Sequence, residues 1–547
     1  MLTTNQVSSL EKVRFLGIGD LKRIDRKIVM RGEKFSYQIA LESKTNLEIN
    51  LTAESPLLGN LKIYSVKNAI VDYVTFDFAD KDYIMDAPGV MPDILLPYDA
   101  KVCPLRVANE ATALWVTVEI PADAPVGECP ITFKFAYKHQ EQEYTKEETM
   151  VLDIIDAEIP KQSTMFTQWF YSDCIANVHN VEIFSEQHWD LIEKYIAMAA
   201  EVGINFILTP VITPPLDTAV GTSRPCTQLV KIEKNGEKYI FDFTLLKRWV
   251  DLCHKHNVNH FEISHLFSQW GLKCAPNIWV TENGEYTHKF GWHVDARSDE
   301  YADFLKQFLP ALIGFLKAEG IKDNCCFHLS DEPHADHVEA YQYAHDLVKP
   351  LLDGCLITDA ISDYDFYEKG LMDRPVTATD FIQPFLDNNV QHQWAYYCCA
   401  QCVDVGNRFL AQASYRNRIL GLQIYKFNIE GFLHWGYNFY NNQLSRQEVN
   451  PYVTTSSDKG FPSGDAFSVY PVKNGVIPSL RAIVFRDALN DVEICRKLES
   501  YIGREKVIEL IDTEAGMDLT FANYPRNNDY IISLIEKMEE IIKSYNK

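Results

Sequence analysis

Hydrophobic and polar positions follow two rhythms along this chain, and the change falls near residue 157. Before it, apolar and polar side chains alternate in short runs, most clearly in Leu114-Trp-Val-Thr-Val-Glu-Ile120. Phe35–Ser43, Leu47–Ser55, Leu61–Phe78, Leu114–Pro121, Ile131–Gln140 and Tyr144–Ile155 are the β-rich runs, separated by polar, proline- or glycine-bearing turns. Period-two alternation sends successive side chains to opposite faces of a strand. Short strands of this kind with regular turns predict an antiparallel β-sandwich over residues 1–157.

After Pro160 the apolar positions recur at i, i+3, i+4 and i+7, the rhythm of one buried helix face. Ser185 is placed to cap a helix that buries Trp189, Ile192 and Ile196, with Gly203 just past its end. A second set, Leu246, Trp249, Val250 and Cys253, follows Asp242. A third carries Tyr301, Phe304, Leu305, Phe308, Leu312 and Leu316, with a kink expected at Pro310. A fourth carries Val338, Tyr341, Ala344 and Val348.

Short apolar runs lie between these helices: Met165–Phe170, Phe206–Thr209, His260–Ser264, Cys325–Leu329, Leu356–Thr358, Val376–Thr379, Gln393–Tyr397 and Phe432–Trp435. A doubly wound open sheet gives similar alternation. The count of eight favours a (β/α)8 TIM barrel over residues 158–495. Residues 496–547, including Tyr530–Tyr545, read as a helical C-terminal extension packed on the barrel. The expected fold is therefore multidomain, as 547 residues also require, since one core rarely grows past ~250–300 residues.

Composition narrows the partners. Hydrophobic residues make up 46% and charged residues 23%, values of an ordinary globular protein. A net charge of -24 repels nucleic acid and anionic membrane surfaces. A neutral oligosaccharide or glycoside is the expected substrate. No apolar run reaches the ~18–20 residues of a membrane span, and the N-terminus has no apolar leader segment, so a cytoplasmic protein with reduced thiols is expected. The pattern specifies no oligomeric state.

Barrel enzymes carry their chemistry at the C-terminal ends of the strands. Those ends here lead into Trp169 to Asp173, Asp217 and Arg224, His265 to Trp270, His328 to Pro333, Asp359, Asp380, Tyr396 and Tyr397, and Trp435, Tyr437 and Asn438. Large aromatic faces stack on the C–H surfaces of sugars, and carboxylates accept from hydroxyls and transfer protons. Asp331 and Glu332 are adjacent. Two neighbouring carboxylates at a buried strand end cannot both ionise cheaply, so one keeps its proton, as a general acid must. An exposed acidic loop start, or a cap for the helix after Ala335, fits the same two residues equally well. Cys398, Cys399 and Cys402, and Cys325, Cys326 and His328, sit in apolar surroundings and read as buried thiols rather than a zinc site. No cofactor or metal motif is present.

Several segments resemble a known family. HLSDEP (His328–Pro333), GFLHWGYNFY (Gly431–Tyr440), GDAFSVYP (Gly464–Pro471) and PSLRAIVFRDALNDVE (Pro478–Glu493) look like the catalytic part of glycoside hydrolase family 123, and LWVTVEIPADAPVGE (Leu114–Glu128) like the β-domain that precedes it. The resemblance implies a retaining exo-β-N-acetylgalactosaminidase using substrate-assisted catalysis through an oxazolinium intermediate, an exception to the usual carboxylate pair. It implies Glu332 as general acid/base and Asp331 as the residue that orients the 2-acetamido group. Predicted location adds Trp270, Trp292, Tyr396, Trp435, Tyr437, Asp173 and His265 as substrate-binding candidates. The alternatives are a conventional retaining glycosidase with Asp359, Asp380 or Glu430 as nucleophile, and a non-catalytic carbohydrate-binding protein.

Overall fold

The computed structural model describes residues 1–546. The N-terminal part consists of two five-stranded sheets. The first runs Thr3–Ser8, Lys34–Glu42, Ala111–Glu119, Leu61–Val71, Gly89–Pro97 and is antiparallel throughout. The second runs Arg26–Arg31, Gln142–Glu158, Gly127–His139, Asn46–Glu54, Leu105–Ala108. Its edge pair, Arg26–Arg31 with Gln142–Glu158, is parallel, which departs from the all-antiparallel expectation. Ile39, Leu41, Leu114 and Val116 of the first sheet and Ile49, Leu51, Phe133, Phe135 and Leu152 of the second form one apolar cluster.

The other face of the first sheet is not wet. Ala40, Ala113 and Trp115 join the core of the remaining chain. Polar residues on that face are buried too: Ser36 and Thr117 meet at 3.1 Å, and Arg486 Nη2 donates to Ser36 Oγ at 2.9 Å. Polar alternation here marks a second interface rather than solvent. The run Leu61–Phe78 is corrected at its end, because the strand stops at Val71. Asp72 then accepts from Thr454, Ser456 and Ser463, so this stretch is held by the far end of the chain instead of by a sheet partner.

Eight parallel strands follow: β1 Met165–Gln168, β2 Phe206–Thr209, β3 His260–Ile263, β4 Cys325–Phe327, β5 Leu356–Ile361, β6 Arg374–Ala378, β7 Trp394–Tyr396 and β8 Gly431–His434. Each pairs with the next from β2 to β8, and β8 pairs with β1. No ladder joins β1 to β2 among the described residues. Asn205 bridges that seam. Its backbone N–H donates to Phe166 O (3.1 Å), its Nδ2 to Thr164 O (3.1 Å), and its Oδ1 accepts from Phe166 N (2.8 Å). The result is the nearly closed eight-stranded barrel of a TIM-type fold.

The helices obey their sequence signals. Ser185 Oγ caps Glu186–Glu201 by accepting from His188 N, and Gly203 beyond it has φ +94°. Thr244–Lys255, Asp299–Ala318 and Val338–Val348 bury the expected faces, and Asp299–Ala318 runs on through Pro310. A four-stranded sheet of Lys231–Asn235, Lys238–Asp242, Ile278–Glu282 and Glu285–Phe290 is inserted in the connections after β2 and β3. Leu480–Ile502 continues unbroken past residue 495, and Arg504–Ala515 and Asn528–Tyr545 follow it. No helix among the described residues is long and apolar enough to cross a membrane.

Candidate active site

One cavity opens at the C-terminal ends of the barrel strands. It is lined by Trp169 and Tyr171 after β1, Leu216 and Asp217 after β2, and Trp270 after β3. Asp331 and Glu332 follow β4, Ala360 lies in β5, Tyr396, Cys398 and Cys399 come from β7 onward, and Leu433, Trp435 and Phe461 close the ring. Its enclosed volume is about 120 Å³, and about 610 Å³ when the space open to solvent is included. No lysine, arginine or histidine lines it among the described residues.

Three of the lining residues have left-handed backbones although none is glycine: Asp217 (φ +40°), Trp270 (φ +52°) and Glu332 (φ +42°). Such residues cost of order 1–3 kcal/mol each and persist only where the surroundings enforce them. At Glu332 the consequence is direct. Consecutive side chains of an extended strand point to opposite faces, and the left-handed turn breaks that alternation, so Asp331 and Glu332 both face the cavity. Trp270 N–H donates to Asp331 O (3.1 Å), joining the loops after β3 and β4.

Tyr396 Oη donates to Glu332 Oε1 at 2.7 Å. Burial pushes the Asp331 carboxyl well above the usual range, and the neighbouring Glu332 and then Asp359 push the same way, against the pull of His328. Trp435 is fixed by its indole N–H, which donates to Asp465 Oδ2 (2.9 Å). Tyr171 Oη donates to Trp435 O (2.9 Å).

Beneath the carboxylates lies a buried polar network. His328 donates from Nε2 to Glu262 Oε2 (2.9 Å) and from Nδ1 to Asp359 Oδ1 (3.0 Å). Burial alone pulls this imidazole down, but the bonds to Asp359 and Glu262 outweigh it and raise it to about 9. His328 is therefore held in its cationic form between two carboxyl groups. Asp359 Oδ2 accepts from Leu329 N, Ser330 N and Tyr341 Oη, which anchors the segment that carries Asp331 and Glu332. Trp169 Nε1 donates to Glu262 Oε2 (3.0 Å), tying an aromatic wall of the cavity to the same network. His265, His328 and Asp359 bring potential metal-binding atoms within 4.8 Å of one another. Both His328 nitrogens are already engaged by carboxylates, at 3.0 and 2.9 Å, so in this arrangement the ring is committed to hydrogen bonds.

The structure brings Asp331, Glu332, Trp270, Tyr396 and Trp435 together, and places four other candidates elsewhere. Tyr437 is buried and donates to Tyr195 O, with its ring stacked on Phe170 at 5.7 Å. His265 is buried below, stacked on His328 at 4.4 Å. Asp173 is buried beside Arg224, 3.4 Å from Nε. Trp292 donates to Thr222 O beside the inserted sheet. None of these four lines the cavity. Nor do Asp359, which is in the buried network, Asp380, which accepts from Gln401 Nε2, or Glu430, which pairs with the half-exposed His392. Sequence reasoning missed Glu262, whose only signal was a charge inside the apolar run of β3. It also left Asp217 as a mere strand end.

A sequence model of the glycoside hydrolase 123 catalytic domain matches residues 169–498. Among solved structures, a family 123 glycoside hydrolase from Clostridium perfringens, which hydrolyses glycolipid glycans, superposes with a TM-score of 0.75 at 15% identity, covering 100% of this chain and 99% of that one. A β-glucuronidase from Parabacteroides merdae reaches only 0.33 at 11% identity, covering 89% of this chain and 51% of the other. No curated protein sequence matches the chain.

Proposed function

The chain belongs to glycoside hydrolase family 123, and on that premise we propose that it is a retaining exo-β-N-acetylgalactosaminidase in which the substrate's own 2-acetamido oxygen is the nucleophile. One observation carries the reading. Asp331 and Glu332, adjacent in sequence, both face one cavity because Glu332 has a left-handed backbone. Neighbouring carboxylates on one loop are poorly placed to attack and protonate from opposite faces of a sugar ring. They can divide the work when the nucleophile is supplied by the substrate.

The proton inventory suits this division. Two carboxylates in one partly desolvated cavity resist ionising together and retain a proton between them. Binding the acetamido group offers its N–H to Asp331, which favours the ionised form there and leaves the proton to Glu332. Glu332 then protonates the glycosidic oxygen as the acetamido oxygen attacks the anomeric carbon. The resulting oxazolinium ion carries positive charge beside Asp331. Glu332, now a base, takes a proton from the water that opens the ring and restores the β-configuration. The aromatic walls Trp169, Tyr171, Trp270 and Trp435 provide stacking faces for the pyranose.

A conventional nucleophile has one structural candidate, Asp217, the remaining carboxylate in the cavity lining. The test is release of nitrophenol from the N-acetyl-β-D-galactosaminide, with the gluco epimer and plain galactoside beside it. Turnover restricted to acetamido sugars, and lost in both Glu332→Gln and Asp331→Asn, is the expected result. Turnover of the plain galactoside would sink the substrate-assisted mechanism. A protein inert on all three would sink the assigned specificity.

A further inference from the structure

The third carboxylate of the cavity has no task in the chemistry above. Asp217 lies on the loop after β2, and its side chain is held from one side only. Oδ2 accepts from Leu444 N at 2.9 Å, while Oδ1 accepts no hydrogen bond from any described residue. Two further bonds fix the backbone around it: Ser445 Oγ donates to Asp217 O (2.7 Å), and Ala219 N donates to Leu444 O (3.0 Å). Leu444 and Ser445 are left-handed, with φ of +62° and +50°, and so is Asp217 itself. Three strained residues thus hold one carboxylate at the rim where the loops after β2 and β8 meet.

No ion pair among the described residues neutralises it. Arg224 is the cation nearest in charge influence, but its Nε lies 3.4 Å from Asp173 and its guanidinium covers the Tyr171 ring at 4.8 Å. Burial pushes Asp217 up to about 6, with the Leu444 N–H and Arg224 pulling back. An ionised carboxylate is an acceptor only. A fixed, desolvated acceptor without a cation is matched by neutral O–H donors, which is what a pyranose presents.

We propose that Asp217 is the specificity-determining residue of this cavity, with Oδ1 accepting hydrogen bonds from ring hydroxyls of the bound neutral sugar. The inference rests on the glycosidase reading of the site and names which side chain selects the sugar. A pocket built to bond a hydroxyl rejects an analogue lacking it far more strongly than an apolar pocket rejects a missing methylene. Asp217 therefore contributes to choice among sugars, whereas Asp331 and Glu332 act on the bond.

The experiment compares wild type, Asp217→Asn and Asp217→Ala on the nitrophenyl N-acetyl-β-D-galactosaminide and its 3-, 4- and 6-deoxy analogues. Melting temperatures establish that each variant is folded, and Asp217→Asn keeps an acceptor for Leu444 N if the alanine variant is not. In wild type, at least one deoxy analogue should lose on the order of 10–100-fold in kcat/KM, the scale of a hydrogen bond to a charged group. The variants should lose a similar factor on the parent sugar and little more on that analogue, a non-additive cycle. Unchanged discrimination among deoxy sugars in a folded variant would overturn the proposal and leave Asp217 a loop latch. A collapse of kcat by about 10⁴-fold or more, with a trapped glycosyl ester on Asp217, would also overturn it and make this residue a nucleophile. If wild type turns over no acetamido sugar, the proposed activity fails by itself. The Asp217 inference is then decided by saturation-transfer NMR of neutral monosaccharides and their deoxy forms. Binding that loses hydroxyl discrimination in the variants supports it, and absence of sugar binding, or discrimination kept in the variants, overturns it.

Discussion

Tyr396 stands one hydrogen bond behind the proposed acid. Its Oη donates to Glu332 Oε1 at 2.7 Å and so restrains the carboxyl group that lines the cavity. Tyr396→Phe should lower kcat about 5–50-fold with KM little changed, the signature of a contact that matters in the transition state. An unaltered kcat would remove Tyr396 from the machinery. His328 makes a prediction of another kind. Its pKa lies at about 9 in the fold, above the ordinary histidine value of ~6.5. The stability it contributes is full below ~6.5 and is lost as pH rises through about 9. Thermal unfolding should therefore show Tm falling across that window, with a shallower fall in His328→Gln. Equal slopes would mean that His328 is not the titrating group. At this scale the sequence was legible for position but not for direction. Asp331, Glu332, Trp270, Tyr396 and Trp435 line one cavity because barrel periodicity puts strand ends at one rim. Tyr437 is only two residues beyond Trp435, yet its ring turns back toward Phe170 and Tyr195. Such a turn depends on Gly436 and its close approach to Ala466, which no periodicity encodes.

Elements explain why glycine opens β8. A Cβ on Gly431 would lie 2.2 Å from Trp394 Cε2 on β7, a distance that atoms cannot share. Gly431→Ala must displace a fully buried indole and should cost about 3 kcal/mol or more, toward the upper range of overpacking. Differential scanning fluorimetry reads this directly, and an unchanged Tm would show that Trp394 has room to move. Strand existence was well marked in the sequence, because four to six apolar residues between helical runs have few other uses. The inserted sheet was not. Lys231–Asn235 and Lys238–Asp242 expose Lys231, Glu233, Asn235, Lys238 and Asp242 and bury little, so they resemble loop until paired. The overrun of Leu61–Phe78 has the opposite cause: Tyr73, Val74 and Phe76 are apolar enough for a strand, but Asp72 and Asp80 commit that stretch to Thr454, Ser456, Ser463 and Arg416.

Those commitments make the two halves one object. Arg481, in the helix Leu480–Ile502, is buried and bonds Asp93 of the first sheet twice, from Nε (2.9 Å) and Nη2 (3.0 Å), while Tyr470 donates to the same carboxylate. Removing one partner of a buried pair leaves an uncompensated charge and costs about 3–5 kcal/mol. Asp93→Ala should therefore lower Tm sharply, whereas Glu143→Ala, which breaks the exposed pair with Lys138, should scarcely change it. Similar Tm values for the two variants would contradict a structural union through Asp93. The seam between β1 and β2 has a consequence for motion over time. In hydrogen-bond terms the barrel is a ribbon whose two edges touch without a ladder, clasped by Asn205 and by Gln162 Nε2, which donates to Gly203 O (2.9 Å). In heavy water, isotope should enter first at the amides of Met165–Gln168 and Phe206–Thr209 that face this join, and last along β6 to β8. The loop bearing Asp217 grows from one lip of that join, so early exchange there would mean that the part of the rim proposed to choose the sugar stands on the least tightly laddered footing of the barrel.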